Sequence, residues 1–335
     1  MQACFYAPVT DQQIFERVEF YKQDIDILHA LGFTVTTATC WRDIPWDADL
    51  YFVWWWTWAL FPLLKARVRR RPVLITGTFD YRWPVPGLDY YGRPGWQRWL
   101  LRCALHQANA NVFVSQVEYN EVTRNLRTYN PHYIPHTLDT QLYTLGGDQR
   151  DKTVVTVAWM QKGNAERKCM PEVIRSIPLV LQQHPTTRFI VAGEQGSAYP
   201  DLWALVQRLG VERAVEFPGV ISKERKIELM QHCGVYLQPS IYEGFGLAVL
   251  EAMSCGASVV SSPVGAVPEV VGDTGVLVDG RSPEAIATAV CSLLDDATLR
   301  QALGQRARQR VESLFVLERR QKALGRVIAE LLENR

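Results

Sequence analysis

From Thr153 to about residue 279, short apolar runs rich in β-branched residues alternate with segments of helical periodicity. Such alternation is typical of βαβ units around a parallel sheet. We predict a doubly wound sheet of six strands in this half, at TVVTVA, RFIVAG, AVEFPG, VYLQPS, SVVSS and VLVD. The predicted helices between them cover residues 170–184, 201–209, 224–232 and 247–255.

The first half repeats the pattern less regularly. We predict strands at ACFYA, FTVTTAT, DLYFV, PVLITG, ANVFVS and HYIPH, with helices at 15–31 and 96–109. The polar segment 146–151 is the best candidate for a linker, and the last 35 residues or so form consecutive helices. A chain of 335 residues accommodates two α/β domains. We therefore predict domains at 1–147 and 148–313, and a terminal helix at 314–335.

The uncharged stretch from Leu50 to Leu64 raises the question of a membrane span. As a helix rising ~1.5 Å per residue it would extend about 23 Å, against a hydrocarbon core of ~30 Å. We therefore predict a buried strand near 49–54 that runs into a helix.

The composition is that of a globular protein, with 47% hydrophobic and 21% charged residues and a net charge of +1. This balance argues against a dedicated nucleic-acid binder, so no nucleic-acid partner is expected. Seven cysteines occur singly, which predicts buried thiols in a reducing compartment. Because the first residues lack the pattern of a secretory signal, we expect a cytoplasmic protein.

The segment from Pro239 to Met253 carries the clearest chemistry, because it follows a predicted strand, bends at two glycines and opens a helix. The amides of residues 246–248 and the positive end of the helix dipole would form an anion site. Glu243 lies in the loop before the helix, and Glu251 lies one turn inside it, so a phosphate would have a carboxylate on each side. In the alternative interpretation both acids are solvated, which the apolar sequence LAVLEAMSCGASVV argues against.

The stretch PSIYEGFGLAVLEAMSCGASVVSSPVGAVPEVV resembles the signature of the retaining glycosyltransferase family 4. The resemblance implies the GT-B fold, an α/β architecture of two Rossmann-like doubly wound domains that face each other across a cleft, with C-terminal helices returning to the first domain. It implies that Glu243 lies at the transferred sugar and reaction centre and that Glu251 binds the ribose hydroxyls. It also assigns backbone amides to the sugar hydroxyls and the diphosphate; they belong to Gly244, Phe245, Gly246, Leu247 and Ala248.

The family commonly holds the diphosphate with an Arg just after the first strand of the second domain and a Lys some residues later. Here Ala158-Trp159 stand where Gly-Arg is usual, while Lys168 matches the lysine. Arg167 or Lys162 is expected to supply the second charge. A solvated loop cation is the alternative interpretation of Lys168. Base contacts are expected from the loop 218–222, which includes Gly219 and Val220.

In the first half, PHTLDT at 135–140 is similar to the family's Pro-x-Gly-x-Asp passage, and GTFD at 77–80 to its Thr-x-His-Asp loop, with Phe79 replacing the histidine. On this basis we assign Asp80, Arg82 and His136 to the acceptor side. The resemblance is loose in this half of the chain.

The function implied is transfer of a hexose-type sugar, with retention, from a nucleotide-diphosphate sugar to a glycan or lipid-linked acceptor. Lys168 and the helix amides would stabilise the departing diphosphate, so we expect neither a metal nor another cofactor. Asp47-Ala48-Asp49 precedes an apolar strand and is interpreted as the start of that strand. Two alternatives remain: a non-catalytic GT-B partner of another transferase, and a GT-B phosphorylase or sugar-nucleotide epimerase.

A basic run of Lys65, Arg67, Arg69, Arg70 and Arg71 follows the tryptophan-rich strand. Basic and aromatic residues together could hold the protein on an anionic leaflet, at the inner face of a membrane. The alternative is that the tryptophans belong to the core and the basic residues to a solvated helix end.

Overall fold

The computed structural model describes residues 1–79, 81–82, 89–147 and 150–333. The chain divides into two compact units. Unit 1 contains Met1–His136 and Glu318–Arg335, and unit 2 contains Thr137–Leu317.

Unit 1 is built on a parallel six-stranded sheet in the order β2-β1-β3-β4-β5-β6. Its strands are β1 Gln2–Tyr6, β2 Thr34–Ala38, β3 Leu50–Trp54, β4 Val73–Gly77, β5 Ala110–Phe113 and β6 Pro131–Tyr133. Its helices are α1 Ile14–Arg17, α2 Glu19–Ala30, α3 Leu60–Arg69, α4 Gly95–Gln107 and α5 Gln116–Asn125, with a 3-10 turn at Trp56–Trp58. Every residue of β3 and β4 is buried, as expected of a parallel sheet covered on both faces.

The six strands predicted for this half are confirmed. The helix predicted at 15–31 is instead two helices, because Val18 adopts an extended backbone with φ −95° and ψ 114°. The uncharged stretch from Leu50 is the predicted buried strand followed by helical structure. Among the described residues, no helix has both the length and the apolar character needed to span a bilayer.

The basic run in α3 needs one correction, at Lys65. Its side chain is only 3% exposed, and Nζ donates hydrogen bonds to the carbonyls of Trp41 (2.8 Å) and Ile44 (2.6 Å). The reason is helical periodicity, which places Lys65 on the buried face of α3 beside Ala66. The exposed basic surface therefore begins at Arg67.

The last helix, α14 (Leu317–Glu333), joins unit 1 through Arg320. The buried guanidinium donates two hydrogen bonds to Asp24 of α2 (2.7 and 2.9 Å) and one each to the carbonyls of Ile134 and Pro135. A buried ion pair with these additional bonds is costly to break from one side only. Arg320 thus fixes the terminal helix to α2 and to the segment after β6.

Unit 2 is a second parallel six-stranded sheet, in the order β12-β11-β10-β7-β8-β9. Its strands are β7 Thr153–Val157, β8 Arg188–Ala192, β9 Val215–Gly219, β10 Val235–Gln238, β11 Val259–Ser261 and β12 Val276–Leu277. Its helices are α6 Lys162–Arg167, α7 Met170–Gln183, α8 Tyr199–Arg208, α9 Lys223–His232, α10 Leu247–Ser254, α11 Val267–Val271, α12 Pro283–Asp295 and α13 Ala297–Leu314. All six predicted strands and the four predicted helices are present, which confirms the doubly wound prediction.

The segment proposed as a linker is attached to unit 2, and the division between units falls earlier, after His136. The Gly146 N–H donates to the Cys255 carbonyl (3.1 Å), and a side chain at Gly146 would lie 2.2 Å from the Gln231 carbonyl oxygen. Arg150 also donates to the Cys255 carbonyl (2.6 Å). A polar, glycine-containing sequence is compatible with such close backbone packing as well as with a linker.

All seven cysteines are free thiols. Five are buried as predicted, but Cys40 is exposed and Cys103 is half-buried. The prediction of buried thiols is therefore wrong at these two positions.

Candidate functional site

The candidate site of unit 2 lies at the carboxyl edge of its sheet, where the strand order reverses. The chain passes from β7 through β8 to β9 on one side, and then returns to place β10 on the other side of β7. In open α/β sheets such a topological switch point is where ligands bind. The segment after β7 supplies Arg167 and Lys168, and the loop after β10 supplies Glu243 and leads into α10.

Glu243 is the centre of a buried ion-pair cluster. Lys168 Nζ donates to Glu243 Oε1, and Arg167 Nη1 lies 3.0 Å from Glu243 Oε2. Glu243 and Lys168 are each 7% exposed. Arg167 also donates to the Tyr242 carbonyl (2.9 Å), which ties α6 to the loop after β10.

These charges decide the protonation state of Glu243. Burial raises the pKa of its carboxyl, but the positive charges of Lys168 and Arg167 and their hydrogen bonds outweigh burial and bring that pKa below its ordinary value. Burial lowers the pKa of the Lys168 ammonium, which Glu243 partly opposes. Glu243 is therefore a carboxylate at neutral pH, paired with Lys168 and Arg167.

The loop that carries Glu243 is held by close backbone contacts. Glu243 Oε1 lies 3.3 Å from the Ser240 hydroxyl and 3.4 Å from the Gln238 amide nitrogen. The Ala266 N–H donates to the Glu243 carbonyl (3.1 Å). A side chain at Gly265, whose φ is +51°, would lie 1.9 Å from that carbonyl oxygen. Gly265 is thus a supporting residue that our interpretation of the sequence did not single out.

The start of α10 has the geometry expected of an anion site. Gly246, at φ 94° and ψ 46°, turns the chain into the helix, and Leu247 and Ala248 follow it partly exposed. The first amides of a helix have no partner within the helix, and the dipole makes this end positive. Phe245 anchors the bend by packing edge-to-face on Phe315, with ring centroids 5.9 Å apart.

Glu251 lies inside α10 with a different set of partners. Lys226 Nζ is 2.8 Å from each carboxylate oxygen, and the Tyr143 hydroxyl donates to Oε1 (2.8 Å). Lys226 also lies over the Tyr143 ring, 5.3 Å from its centroid. Neither residue is predicted from the sequence, because Tyr143 is 108 positions from Glu251 and Lys226 is not part of a recognisable motif.

Gly219 and Val220 lie at the same edge of the sheet as Glu243. Gly219 ends β9, three strand spacings from β10, which is about 14 Å at ~4.8 Å per spacing. Its carbonyl accepts a hydrogen bond from Gly193 N–H (2.9 Å), while Val220 is 77% exposed. The loop 218–222 and the loop that carries Glu243 therefore follow strands that lie about 14 Å apart, at one edge of the sheet.

The residues assigned to the acceptor side belong to unit 1 and have separate neighbours. Asp80 lies outside the described residues. The Arg82 side chain is 74% exposed, with Nε 3.8 Å from Glu121. His136 is buried and stacks on Trp54 with centroids 5.7 Å apart, and burial, together with the charge of Arg320, lowers its pKa well below the ordinary value.

Asp49, in the acidic pair before β3, has a structural explanation. Asp49 accepts a hydrogen bond from the Gln2 N–H (2.9 Å) and lies 3.3 Å from Arg71. Among the described residues, no three His, Cys, Asp or Glu side chains form a group that could hold a metal ion.

Residues 154–310 match the family model "Glycosyl transferases group 1". The chain is 39% identical over 112 residues to an O-antigen chain mannosyltransferase B of Escherichia coli, covering 33% of this chain and 29% of that protein. It is 30% identical over 191 residues to a D-inositol 3-phosphate glycosyltransferase of Corynebacterium jeikeium, covering 52% of this chain and 46% of that protein. The chain thus matches less than half the length of either relative.

Among solved structures, the fold is similar to that of Anabaena HepE in complex with UDP and glucose. The TM-score is 0.79 at 17% identity, over 98% of this chain and all of that one. At this identity the likeness establishes the fold, and the predicted fold class is confirmed.

Proposed function

We propose that this chain, whose residues 154–310 match the family model of the glycosyl transferases group 1 and whose fold is GT-B, is a retaining hexosyltransferase. The donor is a nucleotide-diphosphate sugar bound by unit 2, and the acceptor is a glycan or a lipid-linked sugar. The observation that carries the proposal is the buried cluster of Glu243, Lys168 and Arg167 beside the start of α10.

The cluster suits departure of a diphosphate. As the glycosidic bond breaks, negative charge grows on the leaving group and positive charge on the sugar ring. Lys168, Arg167 and the first amides of α10 would stabilise the former, and the Glu243 carboxylate the latter. The two cations now neutralise Glu243, so a bound diphosphate would share them with it. Arg167 would thereby supply the positive charge that is missing at residue 159, where Trp stands in place of the family's usual Arg.

Glu251 suits recognition of the ribose. Its oxygens accept three hydrogen bonds, two from Lys226 and one from Tyr143, and a carboxylate has about four lone-pair sites, so a hydroxyl donor can be added. These bonds would be similar before and during transfer. Glu251 is therefore proposed to contribute to donor affinity and Glu243 to turnover.

The experiment that tests the proposal is a thermal-shift screen over UDP-, GDP- and ADP-sugars, followed by assays of nucleotide release with and without glycan acceptors. We expect one nucleotide series to stabilise the protein and acceptor-dependent release to persist in EDTA. Strict dependence on added Mg²⁺ or Mn²⁺ would contradict the metal-free mechanism. Release of sugar 1-phosphate from a glycan when inorganic phosphate is added, without release of nucleotide, would favour the phosphorylase alternative.

A membrane-linked acceptor would fit the exposed basic end of α3, formed by Arg67, Arg69 and Arg70. We propose that this surface holds the protein on an anionic leaflet. Sedimentation with phosphatidylserine-containing liposomes should decrease as salt rises and should weaken in a triple arginine-to-glutamine variant. Equal binding to neutral liposomes would contradict the assignment of these arginines.

A further inference from the structure

Unit 1 has its own pocket at the carboxyl edge of its sheet. The chain runs from β1 to β2 on one side and places β3 on the other side of β1, so the strand order reverses between β1 and β3. The pocket lies at this point, bordered by Pro8 after β1 and Trp55 after β3. It has a volume of about 310 Å³. Crevices at such switch points are the usual ligand sites of open α/β sheets.

The backbone beside the pocket is strained. Trp55 has φ 78° and ψ 115°, a region that residues other than glycine rarely occupy. The conformation is fixed by the Trp55 N–H, which donates to the Thr76 carbonyl (2.9 Å), and by its indole nitrogen, which donates to the Tyr21 hydroxyl (2.7 Å). Strain of this kind persists where the surroundings impose it and concentrates at ligand sites.

Gly77, at the end of β4, makes room for the aromatic wall. A side chain there would begin 3.2 Å from the Trp55 ring and 3.4 Å from the Trp56 ring. Its φ of +147° also favours glycine. Glycine at residue 77 therefore leaves the space in which both tryptophan rings pack against the end of β4.

The lining combines aromatic faces with a few polar groups. Trp58 is 41% exposed, and the Thr57 and Thr78 hydroxyls and the Gln97 amide are the neutral polar groups. Arg93 is the one charged side chain among the described residues that line the pocket. Within the described part of the chain, its guanidinium makes one long contact, 3.4 Å from Nη1 to the Thr57 hydroxyl, which leaves N–H donors that a ligand could use.

We propose that this pocket binds the acceptor, and that the acceptor presents a single sugar ring with an anionic group. The apolar face of a pyranose would pack on the tryptophans, and Arg93 would hold a carboxylate or phosphate by charge-assisted bonds. A volume near the lower end of the usual ligand range, about 300–1,000 Å³, suits one ring rather than a longer chain. This inference rests on the proposed function, since it names the acceptor class.

The first test is direct binding, measured by saturation-transfer NMR and calorimetry on the full chain. The probes are glucuronic acid, glucose 6-phosphate, methyl glucoside and inorganic phosphate. We expect the two anionic sugars to bind about ten- to hundredfold more tightly than methyl glucoside, since charge-assisted bonds are worth that much. Inorganic phosphate should bind more weakly than glucose 6-phosphate. Tighter binding of glucuronic acid would indicate a uronic acid as the acceptor, and tighter binding of glucose 6-phosphate would indicate a sugar phosphate.

The second test uses variants. Arg93→Gln should remove the preference for anionic sugars, and Trp58→Ala should weaken all three sugars. The matched controls are Arg98→Gln and Trp99→Ala on α4, which do not line the pocket and should change nothing. Equal binding of neutral and anionic sugars would overturn the role of Arg93. Phosphate binding as tight as that of glucose 6-phosphate, or sugar binding unaffected by either pocket variant, would overturn the saccharide site.

A donor measurement separates this inference from the proposed function. Nucleotide binding to unit 2 is scored independently in each pocket variant and should stay normal. A protein that binds the anionic sugars at the pocket but releases no nucleotide would contradict the transferase proposal alone. A protein that transfers sugar normally in the Arg93→Gln and Trp58→Ala variants would contradict the pocket assignment alone.

Discussion

Glu243→Gln is the substitution that the structure makes most informative. Glutamine is nearly isosteric with glutamate, so the contacts of the loop after β10 can persist while the negative charge is lost. The substitution leaves Lys168 buried with no opposing carboxylate in the cluster, and Arg167 partly so.

The size of the effect on stability follows from burial. Removing one partner of a buried ion pair costs about 3–5 kcal/mol, because the remaining charge is left in a low-dielectric site. We expect the lower part of this range, since Arg167 is partly exposed and Lys168 can shed its proton, its pKa being already lowered by burial. The loss should therefore shrink as pH rises, because deprotonation of Lys168 removes the uncompensated charge.

The assay is urea denaturation of wild type and variant at pH 7 and pH 9. Glu172→Gln is the matched control, because Glu172 forms an exposed i,i+3 pair with Arg175 (2.9 Å), and such pairs contribute about 0–1 kcal/mol. Adding Lys168→Met to Glu243→Gln should restore much of the stability without restoring activity. If Glu243→Gln is as mild as the control at pH 7, the buried cluster does not have the energetic role described.

The same variant tests the chemistry. If Glu243 stabilises charge that develops only during transfer, Glu243→Gln should lower kcat by at least ~10²-fold, or about 2.7 kcal/mol, with nearly normal nucleotide affinity. Glu251→Gln should mainly raise the donor KM, as expected when uniform binding is lost. The division of roles is refuted if Glu243→Gln loses nucleotide affinity as severely as Glu251→Gln.

Three further substitutions test other parts of the structure. Gly265→Ala should displace the Glu243 carbonyl by steric overlap and reduce turnover by tenfold or more, measured as kcat, while the far-ultraviolet circular dichroism stays unchanged. Lys226→Met should raise the donor KM about tenfold with little change in kcat, because it removes the cation that holds the Glu251 carboxylate. His136→Phe should flatten the pH dependence of stability between pH 7 and 5, followed by urea denaturation. Burial lowers the His136 pKa well below 6.5, so only the unfolded state gains a proton below that pH, and wild type loses up to about 1.4 kcal/mol per pH unit.

Periodicity was sufficient to predict both sheets, because the central strands, such as β3, β4 and β10, are buried apolar runs. The break at Val18 was not visible, because an extended residue inside an amphipathic stretch leaves no mark on the pattern. Lys65 was placed in an exposed run because a charge is usually solvated; here a helix face and the carbonyls of Trp41 and Ile44 override that tendency.

The candidate site was predicted only as far as local sequence carries it. Glu243, Glu251 and the glycines of the bend lie within one short segment, so strand, turn and helix signals place them together. Lys226 and Tyr143 reach Glu251 through the packing of α9 and of the segment after residue 137, and no spacing rule encodes either approach. Their roles, like those of the predicted site residues, stay predictions until the variants are measured.

The two switch points illustrate how one sheet topology can hold different chemistry. After β10, Gly246 takes a positive φ at little cost and brings backbone amides and a helix end to the edge of the sheet, an arrangement suited to phosphate. After β3, the residue with a positive φ is Trp55, whose backbone is strained and whose aromatic ring lies at the edge of the sheet. A glycine at residue 55 would relieve that strain but would remove one aromatic side chain from the wall of the pocket. The strained backbone of Trp55 beside the pocket is therefore an argument for a bound ligand, because strain of this kind concentrates at ligand sites.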